Sequence, residues 1–269
     1  MVFKRDNHLL ATLEQKRKCD FTRNYLNGTI PKQLGTLNLV NISFLGNRLT
    51  GPIPKELGNI TTLKALVLEF NQLSGSLPLE LGNLTQIEKL HLTSNNFTGE
   101  LPATLARLTT LKELRIGDNQ FSGAIPNFIQ SWINLEILVM QGSGLSGPIP
   151  SGISILRNLT DLRVTDLNGS DSRFPQLNNM TNLLTLILRS VNIIGSLPEN
   201  LGKLTNLEVL DVSYNKLTGP IPSIFGDLPH LNMLDLSYNN LSIGNNIEEL
   251  QCQRETVNLF ASFSNGNSL

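Results

Sequence analysis

The residues of this chain that could do chemistry are placed by a count rather than gathered in one motif. Glu69, His91, Arg115, Arg163, Arg189, Asp211 and Asp235 each stand two or four residues ahead of one recurring position, and Phe70 stands immediately before it. Arginines so placed can hold a carboxylate or sulfate through forked hydrogen bonds. Spread over several repeats, Arg115, Arg163 and Arg189 would suit an extended ligand, with Glu69, Phe70 and His91 beside them. Taken singly, each also fits an ordinary solvated charge on a sheet. Tyr214 and Tyr238 are weaker candidates, because "SYN" recurs as repeat vocabulary. Catalysis finds no support. His8, His91 and His230 lie in different contexts without an acid or cysteine partner at motif spacing. Three histidines and the two cysteines, Cys19 and Cys252, are too few and too scattered for a metal site. No catalytic, cofactor-binding or metal-binding residue is assigned.

The recurring position is filled by Asn24, Asn47, Asn71, Asn95, Asn119, Asn215 and Asn239, with Ser143, Leu167 and Val191 holding the same register. From Asn47 to Asn239 every step is 24 residues. Each unit reads L-x-x-L-x-L-x-x-N-x-L-x-G-x-I-P, as in Leu63, Leu66, Leu68, Asn71, Leu73, Gly75, Leu77 and Pro78. Alternation at Leu66 and Leu68 predicts a short strand with two inward side chains. One such unit cannot bury its leucines alone, so the units must stack. The expected fold is an α/β-type solenoid of about ten coils, with a parallel sheet on its concave face. The Asn amide, both donor and acceptor, is expected to pair backbone groups buried between coils. Residues 1–18 read as a non-repeat leader, 19–242 as the solenoid and 243–269 as a C-terminal tail. Coils six to eight lack the Asn. Water completing the ladder is one reading; a local kink or protruding loop at "LNGSDSRFPQL", residues 167–177, is the other. No polar caps are visible at Cys19 or after Leu241.

Composition narrows the classes. The 269 residues are 40% hydrophobic and only 6% aromatic, so the core is aliphatic. A net charge of -1 argues against a nucleic-acid surface. No run of 18 apolar residues occurs, so the chain itself inserts into no membrane. The first 19 residues make a poor signal peptide, since "EQKRK" follows a short apolar stretch. Nine N-x-[ST] sequons occur, at Asn27, Asn41, Asn59, Asn83, Asn96, Asn158, Asn168, Asn179 and Asn240. They are glycan acceptors if the chain is secreted, and otherwise products of an Asn- and Thr-rich repeat vocabulary.

"LDVSYNKLTGPIP" (210–222) and "LVLEFNQLSGSLP" (66–78) resemble the plant-type leucine-rich repeat. "RNYLNGTIP" (23–31), "LTDLRVTDLNGSDSRFPQLNNM" (159–180) and "CQRETVNLFASFS" (252–264) resemble the repeat region of plant receptor-like serine/threonine kinases that carry a malectin-like domain. The resemblance covers about residues 19 to 264. It implies a recognition segment at the cell surface, with a malectin-like domain, a membrane helix and a kinase elsewhere in the parent. Kinase motifs are missing here, so the chain reads as a non-enzymatic fragment. Its partners would be a peptide, a glycan or a co-receptor ectodomain, with no cofactor. In the secreted parent, Cys252 would pair with a cysteine outside the chain. A stand-alone repeat protein, either a secreted inhibitor or an intracellular scaffold, is the alternative.

Overall fold

The computed structural model describes residues 17–242 and 258–263. The expectations for His8, Cys252 and most of residues 1–18 concern residues outside these ranges. Two compact units divide the chain between Leu145 and Ser146. In the first, parallel strands Lys18–Asp20, Asn41–Ser43, Ala65–Val67, Lys89–His91, Glu113–Arg115 and Ile137–Gln141 pair in chain order. Leu66 faces Ile42 on one side and Leu90 on the other. A second parallel sheet, from Asn27–Gly28 to Gln120–Phe121, forms where each coil leaves the Asn position.

The helical half of each coil is small. A proline precedes a five-residue 3-10 turn, as Pro54 does at Lys55–Asn59 and Pro78 at Leu79–Asn83. Proline has no N–H to leave unpaired and its φ is already set, so it ends the extended segment without loss. Its carbonyl then accepts the first turn bond, from Leu57 N to Pro54 O at 3.0 Å. Neighbouring turns touch closely. A Cβ on Gly58 would lie 2.3 Å from Glu80 O of the next coil, so only glycine fits. No described helix is long and apolar enough to cross a membrane.

In the second unit, Asp161–Thr165, Thr185–Arg189, Val209–Asp211 and Met233–Ser242 continue the same pattern. Asn258–Phe263 then pairs in parallel with the Met233–Ser242 strand. The segment read as a tail thus supplies one further rung on coil ten, where the sequence shows no cap. At the other end, Lys18 already belongs to the first strand and Cys19 is buried at a position other coils give to Leu or Ile. Burial, aided by the Asp20 charge, pushes the Cys19 thiol up to about 12, which leaves it unreactive.

Inward leucines and isoleucines from every coil form the core. Between them runs the asparagine ladder. Asn95 Nδ2 donates to Leu92 O of its own coil and to Leu68 O of the coil before, at 3.1 and 3.0 Å. Its Oδ1 accepts Leu73 N at 3.0 Å. Asn47, Asn71, Asn119, Asn215 and Asn239 repeat all three contacts. Leu68 O and Leu92 O each accept from two asparagines, so the rungs share carbonyls.

Protein groups meet backbone atoms at the gaps in the ladder. Phe121 N, whose counterpart Phe97 N bonds Asn119 Oδ1, donates to Ser143 O at 2.9 Å. The main chain can come this close because Gly144 has φ +88° and no side chain; a Cβ there would sit 2.5 Å from Phe121 O. Leu145 N turns back to Ser143 Oγ at 3.4 Å. In the second unit, Asn215 Oδ1 accepts both Val191 N and Ile193 N, and Asn192 Nδ2 reaches Leu167 O at 2.8 Å. Residues 168–171 are exposed, and Asp171 meets Lys216 Nζ two coils on.

Replacing Asn95 by Ala leaves Leu73 N without its partner, at about 1–3 kcal/mol for a buried group, and takes one of two amide donors from Leu68 O and Leu92 O. We expect Asn95→Ala to lose about 2–4 kcal/mol in urea denaturation on that basis. Gly144→Ala should lose at least as much, and Ser143→Ala less than about 1 kcal/mol. Equal losses at Asn95 and Ser143 would contradict the backbone-closed rung.

Candidate recognition face

Each strand runs into a residue with positive φ just before the Asn register. In the first unit these are Arg23, Gly46, Phe70, Ser94, Asp118 and Gly142; in the second, Asp166, Ser190, Tyr214 and Tyr238. For an aromatic residue this left-handed conformation costs on the order of 1–3 kcal/mol. The asparagine bonds on either side hold it, and the side chain is turned outward. Three coils add a brace. Asp20 Oδ1 accepts Thr22 N, Asp211 Oδ1 accepts Ser213 N and Oγ, and Asp235 Oδ1 accepts Ser237 N and Oγ. Asp211 and Asp235 therefore fasten the turn, a role the sequence reading did not give them. The Thr22 hydroxyl and backbone bonds hold the Asp20 carboxyl below the ordinary range.

Coils three to five bring Glu69, Phe70, His91 and Arg115 onto one face. His91 Nε2 lies 3.0 Å from Glu113 Oε2, and its Nδ1 lies 3.7 Å from Glu69 Oε2. Lys89 Nζ bonds Glu113 Oε1 at 2.6 Å, while Arg115 Nη2 stays 4.0 Å from Glu113 Oε2. Burial is the main force on the imidazole and pushes His91 down to about 4, with Arg115 and Lys89 adding to it against Glu113. The ring is neutral at ordinary pH. Burial also raises Glu69, opposed by the Arg115 charge and the neighbouring Thr93 hydroxyl. Burial pushes Glu113 upward too, but the Lys89 hydrogen bond and the charges of His91, Lys89 and Arg115 leave it below its usual value. Lys89, Thr93 and Glu113 were missed from sequence. Lys89 and Glu113 stand two residues before His91 and Arg115, and the strand period of two already put them on this face.

Phe70 is 58% exposed and sits in the left-handed row between Gly46 and Ser94. Among the described residues Arg115 Nε is buried without a hydrogen-bond partner, and the Thr93 hydroxyl turns to the Glu69 carboxylate. Both belong to this cluster. The second unit is organised differently. Arg163 Nε is tied to Asp161 Oδ1 at 2.7 Å. Arg189 lies over the Tyr214 ring at 4.5 Å, and Tyr214 stacks on Tyr238 with ring centroids 4.1 Å apart. A hydrogen bond with Tyr238 raises the Tyr214 phenol. The tyrosines stack because they share one register on neighbouring strands spaced by about 4.8 Å. The three arginines therefore do not share one setting: Arg115 stands among carboxylates, Arg163 is ion-paired and Arg189 is stacked. Eight of the nine sequon asparagines are exposed, and Asn41 is half-buried within its strand. No group of three or more His, Cys, Asp or Glu among the described residues could hold a metal ion.

Leucine-rich repeat family models match residues 62–84, 86–108 and 110–132, and 181–241. A probable leucine-rich repeat receptor-like serine/threonine-protein kinase of Arabidopsis thaliana is 61% identical over 61 residues, which is 23% of this chain and 6% of that protein. The plant peptide hormone receptor RGFR1, solved with RGF2, superposes with a TM-score of 0.85 at 31% identity, over 92% of this chain and 40% of the receptor chain. The Arabidopsis receptor kinase HAESA, solved with the peptide hormone IDA and the co-receptor SERK1, gives 0.80 at 31% identity, over 94% of this chain and 43% of that one. The chain thus spans less than half the length of these relatives. It is a leucine-rich repeat solenoid homologous to the ectodomains of plant receptor-like kinases, and its fold is not that of a kinase domain.

The depressed His91 value has a stability consequence. Between pH 6.5 and about 4 the unfolded histidine binds a proton that the folded one refuses, so this contribution is present above pH 6.5 and lost as the pH falls. Raised Glu69 works in the opposite sense above pH 4.5. We expect His91→Gln to flatten the loss of urea stability between pH 6.5 and 4. A wild-type slope that the substitution leaves unchanged would place the effect elsewhere.

Proposed function

We propose that this chain is the ligand-recognition segment of a plant cell-surface receptor kinase, and that it binds a peptide, a glycan or a co-receptor ectodomain through its outward strand face. One observation carries the reading: Glu69, Phe70, His91 and Arg115 meet on a single face, and Arg115 Nε there is unpaired. Likeness to receptors solved with peptide hormones supports it. Binding needs no moving part in the coil, because the asparagine ladder fixes the strands and the left-handed row turns their last side chains outward. Phe70 offers apolar area, while Glu69, Arg115 and the neutral His91 offer directional bonds. Signalling belongs to a kinase elsewhere in the parent.

The narrower group, with a malectin-like domain after the repeats, is supported by residues 23–31, 159–180 and 252–264. Residues 258–263 of that last stretch form the strand added to coil ten, so the solenoid leads directly into the segment that would join such a domain. The site lies outside the plasma membrane in this reading. The exposed sequons, among them Asn59, Asn83 and Asn96, then carry glycans.

The test is a blot of native plant tissue, separated into membrane and soluble fractions, with and without deglycosylation. A membrane band several times heavier than this chain, shifting on deglycosylation, is the expected result. A soluble band at the size of the chain with no shift would remove the receptor reading.

A further inference from the structure

We propose that a groove over the 3-10 turns of coils three to five is a docking site for an extended segment of a partner protein, one that carries an apolar side chain beside a lysine or arginine. The apolar group seats between Leu79 and Phe128, and the cation meets Glu80 and Glu100. The groove lies on the turn side of the coils, away from the strand face. It is a second contact surface, and it goes beyond the recognition reading above without depending on it.

The groove has a volume of about 770 Å³, within the range of about 300–1,000 Å³ common for ligand sites. One row of residues shapes it. Lys55, Leu79, Ala103 and Asn127 open the turns of successive coils. Ala103 leaves a notch where coil three carries Leu79, which is 63% exposed. A single exposed leucine is ordinary, but this one lines the groove together with Phe128, one coil beyond the notch. Phe128 is held edge-on against Trp132 with ring centroids 5.6 Å apart, and Trp132 Nε1 donates to Leu105 O at 2.9 Å. Thr104 Oγ1 donates to Leu79 O at 2.7 Å and ties the turn of coil four to that of coil three. The walls are therefore fixed before anything binds, which lowers the ordering cost of docking. Pro78, Pro102 and Pro126 also line the groove and bring no N–H to it. Their carbonyls already accept from Leu81 N, Leu105 N and Ile129 N at 3.1, 3.0 and 3.2 Å. Backbone that offers so few free polar groups suits an apolar occupant.

Charge then selects among apolar segments. Glu80, Glu100 and Lys55 are the charged side chains of the lining. None of the three makes an ion pair among the described residues. Glu100 lies along coil five, since a Cβ on Gly123 would come 2.9 Å from Glu100 Cγ. Two carboxylates against one ammonium leave the lining acidic. A partner carboxylate would meet two groups of its own sign, whereas a lysine or arginine supplies the cation that the pair lacks. Exposed ion pairs are weak by themselves. The apolar seat therefore supplies most of the affinity, and the two glutamates decide which apolar segment is taken.

The experiment follows the methyl resonances of Leu79 and Ala103 in the full chain by NMR as acetyl-Leu-Arg-Leu-amide is added to millimolar concentration. Acetyl-Leu-Glu-Leu-amide and acetyl-Ser-Arg-Ser-amide are the counterparts. The first peptide should give saturable shifts at both residues and bind at least about threefold more tightly than either counterpart. Ala103→Leu, which gives coil four the side chain that coil three carries, should fill the notch and abolish the saturable shift at Leu79 while Tm stays within about two degrees. Glu80→Gln with Glu100→Gln should weaken binding at least about threefold and remove its dependence on salt. Either counterpart binding as tightly as the first peptide would overturn the proposal. So would unchanged binding in both variants, or no saturable shift with any probe. Shifts at Leu79 and Ala103 that appear when the chain alone is concentrated would assign the groove to a second copy and overturn it as well. These outcomes are separable from the tissue blot, because they are read on the isolated chain wherever its parent resides.

Discussion

A single constraint organises the molecule: backbone groups buried between stacked coils have no solvent and must find partners inside. In coils two to five, nine and ten one asparagine meets it by bonding its own coil and the one before. Since neighbouring asparagines share carbonyls such as Leu68 O and Leu92 O, the rungs are joined rather than independent. The polar ladder fixes the register in which the leucines stack, and burial of those leucines then stabilises the stack. On the far side, proline ends the extended segment, and in coils such as those of Gly35, Gly58 and Gly82 a close-fitting glycine lets adjacent turns touch.

The same ladder sets up recognition. Each coil turns the residue before the register position into a left-handed conformation, including coils six to eight, where no asparagine follows. Most coils place Gly, Ser, Asp or Arg there, while coils three, nine and ten place aromatic rings. The recognition face is thus a by-product of a folding requirement, and its character changes with one residue per coil. Tyr214 and Tyr238, in adjacent coils, satisfy each other. Phe70, without an aromatic neighbour in its row, does not.

Much of this was legible in the sequence, for a physical reason. The period of 24 residues is long and strict, and the two inward leucines with their following asparagine leave few alternatives for strand, turn and core. The outward set at Glu69, Phe70, His91 and Arg115 followed from the same count. What the count could not convey was how outward side chains settle with each other. Lys89 and Glu113 have the spacing that puts them on the face, but spacing alone does not say that they pair with each other and with His91. Arg163 turned out to be occupied by Asp161, two residues away on the same strand. The closure at Ser143 was illegible for another reason: a serine in an asparagine position says nothing about a backbone that moves in to replace it, and the glycine that allows the move looks like ordinary drift.

That closure also couples two neighbouring positions. Once the main chain at Ser143 and Gly144 has drawn in to hold Phe121 N, the space that an asparagine amide would fill is taken by backbone. Restoring asparagine at position 143 alone would add a side chain where its acceptor role is already filled, and Gly144 alone could not become larger without striking Phe121 O. The backbone-closed rung and the asparagine rung therefore exclude each other in coil six, and positions 143 and 144 would have to change together to exchange one for the other.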